Sequence, residues 1–229
     1  MAEPIVGISS MATRQILAEA VALHAKGGGR PVAFESVGGV DAAKRVRADE
    51  AFDLVALASD ALEKLEADGH LLPGSRAGFV RSPMAIAVRT GAAKPDISSA
   101  AAVRKAVAAA RSVGYSTGPS GAHVARLLKD WGLGEANGPR AVQATPGVPV
   151  GSLVARGEAE IGVQQLSELM SEPGIAVVGL LPAEIQLETV FAIGVGARSP
   201  NAADARAFIA FLTSADMDEL KRRHGMTPA

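Results

Sequence analysis

Cysteine is absent from this chain of 229 residues. Disulfides, zinc–thiolate centres and cysteine nucleophiles are therefore excluded, while the compartment stays open. Aromatic residues are scarce at 3 %, with one Trp and one Tyr. That is too few for the stacking platforms that bind single-stranded nucleic acid. Neither sign of charge dominates: 23 Lys and Arg stand against 24 Asp and Glu, a net charge of −1. With no basic run to neutralise phosphates, nucleic acid is not an expected partner. No apolar stretch approaches the ~20 residues of a membrane-spanning helix. Met1-Ala2-Glu3-Pro4 leads straight into an apolar strand, without a basic or apolar leader region, so no signal peptide is expected within the chain. Phosphate loops, dinucleotide fingerprints and nucleophile elbows are missing, and no His/Asp/Glu group has metal-ligand spacing. No metal and no cofactor are expected.

What the chain does have is alternation. Apolar residues make up 48 % of it, and its length suffices for two lobes with cores of their own. Strands are expected at 5–8, 32–35, 54–57, 80–89, 113–115, 141–144, 161–164, 175–180 and 187–195. Helices are expected at 11–24, 40–48, 59–68, 100–109, 122–131, 150–156, 165–172, 202–213 and 215–224. In the first helix, Ile16, Ala20, Val21 and Leu23 mark the apolar face. This order predicts an α/β fold with mainly parallel sheets and ligands beyond the carboxyl ends of the strands. The two long apolar strands, 80–89 and 187–195, are the ones able to cross between lobes. They predict a discontinuous first lobe, residues 1–81 plus 190–229, and a second lobe, residues 82–189.

One loop type recurs four times: an apolar strand ends in small or polar residues and a helix starts at once. The loops are Ile8-Ser9-Ser10-Met11, Glu35-Ser36-Val37-Gly38-Gly39, Ser116-Thr117-Gly118-Pro119-Ser120-Gly121 and Pro146-Gly147-Val148-Pro149-Val150. Small residues let backbone approach a ligand closely, and helix starts present unpaired N–H groups with partial positive charge. Several such ends together suit a small oxyanion or carboxylate. Each residue also has a plainer use. Ser9 and Ser10 serve equally as helix caps, Ser116, Thr117 and Ser120 as turn residues, and Asp41 as a helix-dipole partner. Arg81 fits either a bidentate carboxylate contact or a surface charge.

The same residues carry a resemblance. Ser9-Ser10, Ser36-Val37-Gly38-Gly39, the run Phe52–Ser59, Gly114–Gly121 and Gly151–Gly162 resemble, over nearly the whole chain, the molybdate-binding family of periplasmic solute-binding proteins. The resemblance implies a two-lobe type II periplasmic-binding fold with the ligand cleft between lobes. It implies a small anionic ligand, a monomer, an ABC transporter permease as partner, and a periplasmic location, with a cytoplasmic one still open. Carried over, Ser9, Ser10, Met11, Ser36, Val37, Gly38 and Gly39 form the ligand loops of the first lobe. Ser116, Thr117, Pro119, Ser120, Gly121, Pro149 and Val150 form those of the second. Two departures stand out. Val37 replaces a family serine, and Gln164-Gln165 stand where the family often has a tyrosine. With Arg81 available, these departures point to an organic di- or tricarboxylate. Aconitate isomerase, which moves a proton within an unsaturated tricarboxylate, is similar to the same scaffold.

The expected function is that of a solute receptor, with an isomerase as the alternative. A receptor that delivers an anion to a transporter needs donors and a hinge. An isomerase also needs a base within reach of the labile proton. The base candidates are Glu35, beside Ser36, and His123, two residues past Gly121. Strand alternation turns Glu35 away from Ser36, and a helix-face role fits His123 better than a catalytic one. His24 and His224 end helices, and His70 lies in a loop.

Overall fold

The computed structural model describes residues 3–133 and 138–229, so Met1 and Ala2 lie outside the described residues. The chain forms two compact units, Met1–Arg81 with Thr189–Ala229, and Ser82–Glu188. In chain order the first unit opens with β1 (Ile5–Ser10), α1 (Arg14–Lys26), β2 (Val32–Val37), α2 (Gly39–Arg47), β3 (Leu54–Ala58), α3 (Ser59–Ala67) and β4 (Ala77–Ser82). The second unit follows with β5 (Met84–Arg89), α4 (Ala100–Ala109), β6 (Ser112–Tyr115), α5 (Pro119–Asp130), β7 (Arg140–Gln143), α6 (Val150–Ala155), β8 (Ile161–Gln165), α7 (Leu166–Leu169) and β9 (Ile175–Leu180). The chain then returns to the first unit as β10 (Thr189–Val195), α8 (Ala202–Thr213), α9 (Asp218–Arg223) and β11 (Thr227–Pro228).

The first unit is built on a six-stranded sheet in the order β11-β4-β10-β3-β1-β2. Strands β1, β2 and β3 run parallel, as βαβ crossovers require, and β10 runs antiparallel to β3. Each strand buries alternate residues on opposite faces. Leu54, Phe191 and Ile193 pack with Ile16, Leu17 and Phe208 on one face. Val55, Leu57 and Ile8 pack with Leu62, Leu65 and Val46 on the other. The buried stripe of α1 is Ile16, Leu17 and Ala20, whereas Leu23 is 40 % exposed. Leu17 joins the buried stripe, and Leu23, in the last turn of α1, stays largely exposed.

The second unit is built on a five-stranded sheet, β7-β6-β8-β5-β9. Strands β6, β7 and β8 are parallel, and β5 is antiparallel to both neighbours. Ile86 and Val88 face the Val103–Leu128 side of the core, while Ala85 and Ala87 face Leu169. Both sheets are therefore mixed rather than mainly parallel. The strands β5 and β10 enter their sheets without a crossover helix of their own, which removes the device that makes neighbours parallel.

The single strand expected over 80–89 is in fact two, broken at Pro83 and shared between the two sheets. Proline has no N–H to give a ladder, so it marks the break. The strand expected from 187 starts at Thr189, and Leu187 instead packs in the core of the second unit. No helix among the described residues is long and apolar enough to cross a membrane.

Candidate functional site

In the first unit the strand pairing sets Ser9 opposite Ser36, one residue before each strand ends. Their hydroxyls meet at 2.7 Å. Ser10 follows, 7 % exposed, in the extended N-cap position of the 3-10 turn Met11–Thr13. It makes no capping bond there, and its Oγ is buried with no hydrogen-bond partner. Capping therefore does not explain Ser10. An orphaned buried hydroxyl costs about 1–3 kcal/mol. Gly39 opens α2 directly beside it: a Cβ on Gly39 would lie 3.6 Å from that of Ser10. The first-turn amides of α2, behind Gly38, have no intrahelical acceptors. Ser9, Ser10, Ser36, Gly38 and Gly39 thus make one cluster of donors. Met11 and Val37 flank it, both half-buried.

Two other candidates of this unit are placed elsewhere. Alternation puts Glu35 level with Ile8, on the face opposite Ser36. There its carboxylate takes both guanidinium arms of Arg45 at 2.6 and 2.8 Å, and Arg45 also binds Glu50. These bonds hold the Glu35 carboxyl below the usual carboxylate range. Arg81 is exposed on β4, opposite Thr227. Strands β10 and β3 separate β4 from β1, a lateral distance of about 14 Å. Asp41 pairs with Lys44 one turn on.

In the second unit α5 begins at the end of β6. The Ser116 and Ser120 hydroxyls meet at 3.0 Å, and Ser120 is 2 % exposed. Gly121 is required for this loop, since a Cβ would fall 1.7 Å from the Ser116 carbonyl oxygen. Thr117 is half-buried at the same turn, and Pro119 is exposed at the first helical position. The His123 ring is held by other partners. Arg126 donates to Nδ1 at 2.7 Å, so Nε2 carries the proton and donates to the Ile185 carbonyl at 2.8 Å. Both ring nitrogens are committed.

The α6 loop differs from expectation. The Val150 N–H, next to Pro149, is taken: it donates to Gln164 Oε1 at 2.9 Å. That bond fixes the amide orientation, and Gln164 Nε2 donates to Glu168 Oε2 at 2.6 Å. Gln164 and Gln165 are each 2 % exposed at the end of β8. Burial, with a smaller contribution from Glu172, pushes the Glu168 carboxyl up to about 8. Sequence reasoning missed Glu168. In Gln164-Gln165-Leu166-Ser167-Glu168 it reads as a surface helix residue, and only the packing of α7 turns its carboxyl inward.

The characteristic pattern of bacterial extracellular solute-binding proteins matches residues 5–227. This chain belongs to that family. Aconitate isomerase from Pseudomonas sp is 38 % identical over 184 residues, which cover 80 % of this chain and 70 % of that protein. Among solved structures, the periplasmic molybdate-binding protein of Azotobacter vinelandii superposes with a TM-score of 0.78 at 19 % identity, covering 97 % of this chain and 98 % of that one. The periplasmic binding protein AgtB of Agrobacterium tumefaciens, solved with agropinic acid, gives 0.69 at 18 % identity over 100 % and 83 %. At these identities the structural likenesses establish the type II periplasmic-binding fold.

Proposed function

We propose that this protein binds a small unsaturated tricarboxylate and interconverts its isomers by moving one proton. The observation that carries the binding half is the Ser10 hydroxyl, buried without a partner beside the first turn of α2. A carboxylate oxygen placed there accepts from Ser10 and from helix amides, as a charge-assisted hydrogen bond prefers. Ser9 and Ser36 extend the same donor row. The second unit offers a hydroxyl pair of the same make at Ser116 and Ser120.

The 38 % identity to an aconitate isomerase favours turnover over mere capture. The reaction removes a proton from a methylene carbon beside a carboxylate. The electron pair spreads over the three-carbon unit and onto carboxylate oxygen, and a proton returns at the far carbon. Hydroxyl and amide donors on that carboxylate stabilise the charge as it develops. Glu35 is bound to Arg45 and His123 to Arg126 and Ile185, so neither supports the role of base as it stands.

A second reading, delivery of the same anion to an ABC transporter outside the cytoplasm, is favoured by the family and by the periplasmic neighbours. Incubation with trans-aconitate, followed by proton NMR, separates the two. Appearance of cis-aconitate supports the isomerase. Saturable binding without conversion supports the receptor, and tight molybdate binding with indifference to carboxylates defeats both.

A further inference from the structure

The hydrogen-bonded chain Val150–Gln164–Glu168 is not used by the donor clusters described above. Gln164 links the start of α6 to the carboxyl of Glu168: it accepts from Val150 at 2.9 Å and donates to Glu168 at 2.6 Å. We propose that Glu168 is a positioning residue that, through Gln164, fixes the Val150 amide and the loop before α6. That this loop belongs to the ligand machinery rests on the function proposed above; the coupling itself does not.

The surroundings of Glu168 explain why the proton matters. Strands β8 and β9, which pack on α7, carry no charged residue at all. On β5 the one charge is Arg89, at the far end of the strand next to Gly157. On α6 the nearest cation is Arg156, at its C-terminal end, bonded to Glu158 and also acting on Glu172. Glu172 itself packs its methylenes over Gly151 and repels a charge on Glu168. Ionised Glu168 therefore has a partly buried charge, a like-charged neighbour and, among the described residues of the elements packed on α7, no cation of its own. Turning the carboxylate out to water relieves this. That motion strips Gln164 Nε2 of its acceptor and frees the amide to release Val150. In the neutral acid, Oε2 accepts from Gln164 with no net charge present.

The test is an NMR titration of the ligand-free protein from pH 6 to 9.5, following the Gln164 side-chain amide and the Val150 backbone amide. Both resonances should move together with one midpoint near 8. In that range the ionised-to-neutral ratio of Glu168 rises from about 0.1 at pH 7 to about 10 at pH 9, and Val150 protection from solvent exchange should fall about tenfold. Glu168→Gln keeps the acceptor and cannot ionise, so both signals should stay flat and protected. Glu168→Leu removes the acceptor, so Val150 should be unprotected at every pH. Absence of a shared transition in the unaltered protein overturns the proposal whatever the variants do, as does a transition that survives in Glu168→Gln. Calorimetry with trans-aconitate and with molybdate on the same samples tests the separate reading. A transition with binding of neither leaves the coupling standing and defeats the proposed function.

Discussion

Replacing Glu168 by Gln should change how stability depends on pH. In the unfolded chain this carboxyl titrates near 4.5, and in the folded protein near 8. Between those values the folded state holds a proton that the unfolded state has lost. Stability therefore falls as pH rises through this window and is level above and below it. The full window corresponds to about 5 kcal/mol at ~1.4 kcal/mol per pH unit. Other groups titrate elsewhere. The ion-paired carboxyls of Glu19, Glu35, Glu50, Glu66, Glu158 and Glu160 are all lowered, so their contributions change below 4.5. His24 is lowered by burial, so it adds stability as pH rises through 6.5 and is complete by about pH 7.5. From 6.5 to 8.5 Glu168 dominates, with a loss of about 2 kcal/mol that His24 offsets only slightly. Urea unfolding followed by the fluorescence of Trp131 reads this directly, since the only tryptophan sits at the end of α5 in the second unit. The unaltered protein should lose stability across the interval, and Glu168→Gln should not. Parallel curves for the two proteins would refute the reasoning.

Four further outcomes are expected. Ser10→Ala removes an orphaned buried hydroxyl, so urea unfolding should find it unchanged or up to ~1 kcal/mol more stable, while calorimetry finds trans-aconitate affinity down about tenfold; a large loss of stability would assign the hydroxyl a structural partner. Gly121→Ala forces a Cβ onto the Ser116 carbonyl and should cost more than about 2 kcal/mol in thermal unfolding, with the Ser116–Ser120 loop displaced. Glu35→Gln touches an exposed ion pair on the face opposite Ser36, so turnover of trans-aconitate should change less than about twofold. Arg126→Ala leaves His123 Nδ1 without its donor and should cost about 0.5–1.5 kcal/mol in urea unfolding, without altering ligand affinity.

The sequence by itself determined the fold class. Period-2 and period-3.6 patterns survive any tertiary arrangement, so β1, β2, β3 and the helices after them were legible, as was the placing of Ser9, Ser36 and Ser120 at strand-to-helix turns. The tertiary structure decided what pattern cannot carry. Whether 80–89 was one strand or two depended on Pro83, where the chain passes from one sheet to the other. Whether Glu35 faced the serine row depended on register, since one residue along a strand reverses the face. His123 became a structural clamp because Ile185, 62 residues away in the chain, lies within hydrogen-bond reach. The Glu168 carboxyl is raised because α7 packs on β5 and β9 and brings it beside Gln164 and Glu172. Burial and partnership are properties of distant segments brought together, and they set the charge state of a side chain whose own neighbours in sequence read as solvent-facing.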